Sequence, residues 1–226
     1  MVKVKLCGQT RLEDCRISVE AGADFLGVVY DVASSPRSLT EEAAAPIFAH
    51  FAARTFLLTC NRPVDEAFVA AVERLNPYAL QLTGDESYAE VGRAREATAR
   101  PVFKSIHLAP AGEGGAAAER LVAEMNRYRE AGVDGFVLDT ATKGMYGGTG
   151  MVNDWELAAR LVAAVDAPIF IAGGIDPENV AEAAALPGVY GVDLASGIEA
   201  GRKGVKSHDK ISRLFAALGR GGIDRP

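Results

Sequence analysis

Cysteine and histidine are both scarce, three of each in 226 residues. Cys7, Cys15 and Cys60 are odd in number and lack the spacing of metal ligands. That argues against a disulfide framework or a zinc site and for reduced thiols in a cytoplasmic setting. Long apolar runs are missing too: none approaches the ~18 residues of a membrane span. At the amino terminus, Val2–Leu6 reads as a strand and not as the apolar region of a signal peptide. Neither a membrane nor a secretory destination is expected. An excess of positive charge is also absent, since the formal net charge is −6 with mixed signs. No nucleic-acid partner is expected, because that would call for a basic face. Any phosphate site must then rest on backbone amides and local geometry. Finally, no Pro/Ser-rich linker or composition shift divides the chain. One domain over residues 1–218, with a polar C-terminal tail at 219–226, is expected.

What is present is a regular alternation. Eight short apolar runs read as strands: Val2–Cys7, Phe25–Tyr30, Thr55–Cys60, Tyr78–Leu82, Val102–His107, Gly135–Asp139, Ile169–Ala172 and Val189–Leu194. Between and after them lie helical patterns at Leu12–Ala21, Glu41–Ala52, Asp65–Leu75, Tyr88–Ala97, Ala116–Ala131, Asp154–Val165, Pro177–Ala185 and Asp209–Leu218. Alternating βα units imply a parallel sheet, and eight strands are the number that closes a barrel. The expected fold is α/β, a single-domain (βα)8 TIM barrel. An internal echo fits it: Glu20-Ala21-Gly22-Ala23-Asp24 precedes strand two, and Glu130-Ala131-Gly132-Val133-Asp134 precedes strand six. Each glycine sits where a helix ends and the left-handed conformation is needed. Asp176-Pro177 and Asp154 look like helix starts, with a capping carboxylate.

In such a barrel the chemistry lies at the C-terminal ends of the strands. Asp139 ends the apolar run Gly135–Asp139, where partial burial would keep its carboxyl protonated often enough to serve as a general acid. A helix cap, or an ion pair with Lys143, is the plainer alternative. Cys7 ends the first strand and shares its side-chain parity with Lys5, whose ammonium could support a thiolate. Simple burial would also account for a lone cysteine. Ala172-Gly173-Gly174-Ile175 and Ala195-Ser196-Gly197-Ile198 follow strands seven and eight, the loops that commonly bind phosphate next to a helix N-terminus. Lys143–Gly150 lacks the Gly-Lys-Ser/Thr ending of a nucleotide loop, and a lid or a plain connector suits it better. Arg37 could reach over the mouth to a substrate carboxylate, with a solvated surface arginine as the plainer alternative. Lys104, inside strand five, invites a Schiff-base reading that nothing else supports.

Taken together, these residues resemble the phosphoribosylanthranilate isomerase family. The resemblance spans nearly the whole chain. It is carried by Val4-Lys5-Leu6-Cys7-Gly8-Gln9-Thr10, Ser35-Pro36-Arg37, Leu80-Gln81-Leu82 with Gly84-Asp85-Glu86, and Leu138-Asp139-Thr140. Tyr146–Gly150 with Asp154-Trp155, Ala172-Gly173-Gly174, Pro177–Val180, Val192-Asp193, Ser196–Glu199 and Gly204-Val205-Lys206 complete it. The resemblance implies a cofactor-free, metal-free Amadori rearrangement in tryptophan biosynthesis, on a small phosphorylated substrate, by a monomer or a homodimer. It assigns Asp139 as acid and Cys7 as base, Arg37 to the anthranilate carboxylate, and Gln81, Thr83 and Asp193 to substrate. Gly173, Gly174, Ser196 and Gly197 would cradle the phosphate. The departures are Thr83, where the family usually has histidine, together with Met151, Asn153 and the run Asp31–Ser34. They surround the lid and the ring pocket, and leave two alternatives: a paralogue acting on another phosphorylated aminosugar, or a non-catalytic phosphate binder.

Overall fold

The computed structural model describes residues 1–108, 114–139 and 155–220. Among them, nine strands form one parallel sheet: β1 (Lys3–Leu6), β2 (Phe25–Tyr30), β3 (Ser38–Leu39), β4 (Thr55–Thr59), β5 (Ala79–Leu82), β6 (Val102–His107), β7 (Gly135–Asp139), β8 (Ile169–Ala172) and β9 (Gly191–Leu194). β1 pairs with both β2 and β9, which closes eight strands into a barrel; β3 pairs only with the edge of β2. The helices are α1 (Leu12–Glu20), α2 (Glu41–Phe51), α3 (Glu66–Leu75), α4 (Tyr88–Thr98), α5 (Gly114–Glu130), α6 (Trp155–Ala164), α7 (Val180–Ala184) and α8 (His208–Ala217). Among the described residues, no helix is long and apolar enough to cross a membrane.

The expected (βα)8 barrel is therefore what forms, and β2, β6, β7 and β8 keep their expected bounds. β3 was not expected, since two residues are too few for any periodicity to register. α7 starts at Val180, not Pro177. Asp176 instead caps the turn ahead of it, its Oδ1 accepting from the Glu178 and Asn179 N–H groups at 2.9 and 3.2 Å. Residues 221–226 and Asp154 lie outside the described residues. The packed body reaches Arg220, whose guanidinium donates to the Val2 carbonyl and to Asp24.

The half-barrel echo has a structural cause. Gly22 and Gly132 both take positive φ, 113° and 100°, and turn the chain back after α1 and α5. The aspartate two residues later then reaches across to the neighbouring strand. Asp24 accepts from the Val4 N–H at 2.9 Å, and Asp134 from the Val102 N–H at 2.8 Å. Each carboxylate thus accepts from a backbone N–H near the start of a strand, a donor that must be paired when buried.

Inside the barrel, Phe25, Phe56, Phe103 and Phe170 form an aromatic layer with centroid separations from 5.0 to 6.1 Å. Glycine on a neighbouring strand makes room for two of these rings, Phe103 and Phe170. A Cβ on Gly135 would sit 2.3 Å from a Phe103 ring carbon, and one on Gly191 2.5 Å from Phe170. On the other side, outward residues such as Val4, Leu26, Leu57, Leu80, Phe136 and Ile171 pack beneath the helices. Burial on both faces explains why the strands read as apolar runs and not as alternations.

Gly135→Ala should destabilise the fold by about 1–3 kcal/mol in urea unfolding, through overpacking. Phe103→Leu should recover only part of that, because the Pro168 carbonyl also lies 2.7 Å from the new methyl.

Candidate active site

The C-terminal ends of the barrel strands surround a cavity of about 440 Å³. Cys7, Arg37, Gln81, Thr83, Asp139, Gly173, Gly174, Asp193 and Ser196 all line it. Gly197 does not. It lies where the loops after β8 and β9 touch, and a Cβ there would be 2.0 Å from the Ile175 carbonyl.

Cys7 follows β1 and faces inward with Phe25, Val137 and Ala172. Gly27 on β2 makes space for its thiol, since a Cβ there would come within 2.7 Å of Sγ. Lys5 shares the inward face, as side-chain parity predicts. It is fully buried, donates to Asp193 Oδ2 at 2.7 Å, and lies 5.3 Å from the Phe56 ring centroid. Burial pushes the Cys7 thiol above its ordinary range, with Lys5 and Lys206 pulling the other way. Lys5 therefore does not hold a resting thiolate as expected, for its charge is shared with Asp193, and the thiol rests protonated. Cys15 is inert core: burial pushes its thiol up to about 12.

Arg37 comes over the rim from the segment before β3, its stem lying against Gly8. Its Nε and Nη2 donate to the two oxygens of Glu199 at 2.6 and 2.7 Å. Glu199 Oε1 also accepts from the Gly204 N–H at 2.8 Å, and Lys206 Nζ stands 3.7 Å away. Lys206 in turn donates to the carbonyls of Cys7 at 2.5 Å and Ala195 at 3.3 Å, joining the ends of β1 and β9. Glu199 and Lys206 belong to the quoted motifs but received no role from the sequence. Their function depends on contacts 162 and 199 positions away along the chain.

On the far side of the cavity, Gln81 donates to the Ser105 hydroxyl at 3.1 Å. Gln81 Oε1 and Asp193 Oδ1 are buried without a hydrogen-bond partner among the described residues. Two orphan acceptors in one cavity call for a ligand that brings donors. Thr83 spends its hydroxyl on the Thr59 carbonyl at 2.9 Å. Lys104 points away from the cavity, its ammonium between the carbonyls of Leu82, Gly84 and Ser105 and the Glu86 carboxylate. The Schiff-base reading of Lys104 is thereby overturned, because parity along β6 turns it outward.

Gly173 and Gly174 have successive positive φ values, 87° and 64°, a turn that a residue with a side chain would make only under strain. The two helices that follow these loops, expected from Pro177 and from Asp209, begin at Val180 and at His208, so neither N-terminus abuts the loop glycines. α7 starts six residues after Gly174, and Ser196–Ile198 is a single 3-10 turn with α8 ten residues further on. Backbone amides, with little help from a helix dipole, are what these loops offer. Among the described residues, no group of three His, Cys, Asp or Glu is placed to hold a metal. Lys143–Gly150, Met151 and Asn153 lie outside the described residues.

Burial alone would push the Glu199 carboxyl up, but Arg37, the Gly204 N–H and Lys206 outweigh it and hold it below the ordinary range. Such a group stabilises the fold above its unfolded value of about 4.3, and that contribution is lost as pH falls through the lower folded value. Glu199→Gln should therefore cost about 3–5 kcal/mol at pH 7 by leaving Arg37 buried without its counter-charge. Denaturation measured at successive pH values should show the gap to wild type narrowing below about pH 4.

Comparison with known proteins adds to this geometry. Residues 4–217 match the family described as N-(5'-phosphoribosyl)anthranilate (PRA) isomerase. An N-(5'-phosphoribosyl)anthranilate isomerase of Haloferax volcanii is 39% identical, over 99% of this chain and 97% of that one. The crystal structure of phosphoribosyl anthranilate isomerase from Thermotoga maritima is 32% identical with a TM-score of 0.78, covering 97% of this chain and all of that one. A further isomerase structure, in complex with reduced 1-(o-carboxyphenylamino)-1-deoxyribulose 5-phosphate, is 29% identical with a TM-score of 0.76, over 97% of this chain and 100% of that one. With the barrel, the inward Cys7 and the carboxylate of Asp139 at one mouth, the chain belongs to the N-(5'-phosphoribosyl)anthranilate isomerase family.

Proposed function

We propose that this barrel isomerises N-(5'-phosphoribosyl)anthranilate to 1-(o-carboxyphenylamino)-1-deoxyribulose 5-phosphate, an Amadori rearrangement of tryptophan biosynthesis, with Asp139 as general acid and Cys7 as general base. The observation that carries this reading is the placing of a thiol and a carboxyl on one sugar-sized cavity, from β1 and β7. We take the reaction to run in the cytoplasm, where the thiol stays reduced.

Asp139 gives its proton to the ribose ring oxygen, the C–O bond to that oxygen breaks, and an imine forms with the anthranilate nitrogen. Cys7 then takes the proton from the neighbouring carbon, and the electron pair left behind makes the enolamine, which relaxes to the ketone. The imine, once protonated, is positively charged beside Cys7. That charge favours the thiolate that burial otherwise disfavours. A thiol with raised proton affinity is scarce as a thiolate but a stronger base once formed. Acid and base thus owe their different proton affinities to different surroundings.

The orphan acceptors Asp193 Oδ1 and Gln81 Oε1 suit the sugar hydroxyls. Gly173, Gly174 and Ser196 offer the phosphate their backbone N–H groups, and Gly197 lets the two loops approach. A guanidinium has five N–H donors. The Glu199 clamp uses one on Nε and one on Nη2, leaving the rest of Arg37 for the anthranilate carboxylate.

Purified protein should consume the fluorescence of N-(5'-phosphoribosyl)anthranilate and rescue a tryptophan auxotroph that lacks this step. Cys7→Ala and Asp139→Ala should each cut kcat by about 10²–10⁴-fold or more, the usual worth of a general acid or base. Wild-type turnover retained in both variants would overturn the assignment.

A further inference from the structure

We propose that Glu199 is a positioning residue for Arg37, fixing the guanidinium so that only its Nη1–Nη2 edge is left to take a carboxylate on the substrate's aromatic ring. The proposal rests on the reading of the cavity as a phosphoribosylanthranilate site given above. A guanidinium has two edges that present a parallel pair of N–H groups, Nε with Nη2 and Nη1 with Nη2. Glu199 takes the first with both of its oxygens, at 2.6 and 2.7 Å. The stem of Arg37 lies against Gly8, where a Cβ would come within 2.5 Å of Cδ and 3.2 Å of Nε. The Nη1–Nη2 edge is what remains for the cavity, which Arg37 lines together with Cys7 and Gly8.

Glu199 is itself held from several sides. It pairs with Lys206 in an isolated antiparallel bridge, so the loop between them folds back on itself. Within that loop the Gly204 N–H reaches Glu199 Oε1 at 2.8 Å. The Gly204 carbonyl accepts from the Thr10 hydroxyl at 2.6 Å, which ties the loop to the segment after β1. A Cβ on Gly204 would meet Thr10 Cγ2 at 2.8 Å, and the φ of 83° there favours glycine besides. From α8, Lys210 Nζ donates to the Glu199 carbonyl at 3.1 Å. The carboxylate that orients Arg37 is therefore a fixed point, buried and anchored at its backbone and at its oxygens.

The pair is neutral as a whole, so it selects by geometry more than by charge. An arginine without its counter-charge would draw any anion that entered the cavity. A paired one favours the group that matches its open edge, and two N–H groups side by side match the two coplanar oxygens of a carboxylate. Holding the side chain in place beforehand also removes rotamer entropy that binding would otherwise cost. The ring carboxylate takes no part in the bonds that break and form, so the clamp serves binding and not the proton transfers.

Calorimetry with two inert probes tests this. One is 1-(o-carboxyphenylamino)-1-deoxyribulose 5-phosphate with its ketone reduced to an alcohol; the other is its phenylamino counterpart, which lacks the carboxylate. Wild type should bind the first about tenfold more tightly or better, the worth of a hydrogen bond to a charged group. In Glu199→Gln the amide keeps one acceptor but turns an NH2 group toward Arg37. The carboxylated probe should then bind about tenfold more weakly, while the other probe binds as before. KM for N-(5'-phosphoribosyl)anthranilate should rise by a similar factor with kcat nearly unchanged. Equal weakening of both probes, the mark of a merely structural role, would overturn the proposal, as would unchanged binding of the carboxylated one. Because Glu199→Gln leaves a buried cation unpaired, Arg37→Met and Arg37→Met/Glu199→Gln supply a second comparison, the double variant having neither charge. Glu199→Gln should add no loss on the Arg37→Met background, and a further loss there would show that Glu199 does not act through Arg37. Wild type that binds both probes equally would sink the clamp and leave the isomerase assignment standing. Wild type that binds neither probe and turns over no substrate would remove that assignment, and this proposal with it.

Discussion

Closure of the sheet by β1 is the constraint on which everything else depends. One strand of four residues is hydrogen-bonded on one side to β2 and on the other to β9. A parallel barrel has no edge, and its strand ends all open on one rim. The register Lys5↔Asp193 sets a lysine beside an aspartate inside the barrel, one layer below Cys7. The continuous ladder through β8 and β7 then carries Asp139 round to the same opening. The aromatic layer underneath makes the floor solid, and the glycines among it let the rings interlock without strain.

Above that floor, the site is built from charges that never stand alone. A buried lysine or arginine costs several kcal/mol of desolvation unless a partner stands beside it. Here Lys5 has Asp193, Arg37 has Glu199, and Lys206 has two carbonyls with Glu199 nearby. Burial pushes the proton affinity of Lys206 below its ordinary range, and Glu199 pulls it back up. The pairs leave specific atoms unspent: Asp193 Oδ1 and Gln81 Oε1 as acceptors. A cavity whose cations are paired and whose acceptors stand at chosen points can recognise a phosphorylated sugar without a positive field over the whole molecule, in keeping with the net charge of −6.

Much of this was legible in the residues. Apolar runs closed by turns marked the eight barrel strands, four of them to the residue, because strands buried on both faces carry an unbroken apolar signal. Side-chain parity placed Lys5 and Cys7 on the same inward face, and both are there. The same parity, applied to β6, should have turned Lys104 outward and Ser105 and His107 inward, a signal that was available and unused. β3 and the late start of α7 were not legible, since segments of two to five residues are decided by their tertiary neighbours and not by their own periodicity.

By itself, the sequence determined the class of fold, the closing of a parallel barrel, and the shared side of the first strand on which Lys5 and Cys7 lie. These follow from local pattern, and local pattern survives in one dimension. Only the tertiary structure decided which charges meet. Glu199 clamps Arg37, Lys206 ties Cys7 to Ala195, and Asp193 takes the charge of Lys5. Those choices depend on strand register and loop approach. An electrostatic contact is fixed to within an ångström or so by residues that no spacing along the chain relates.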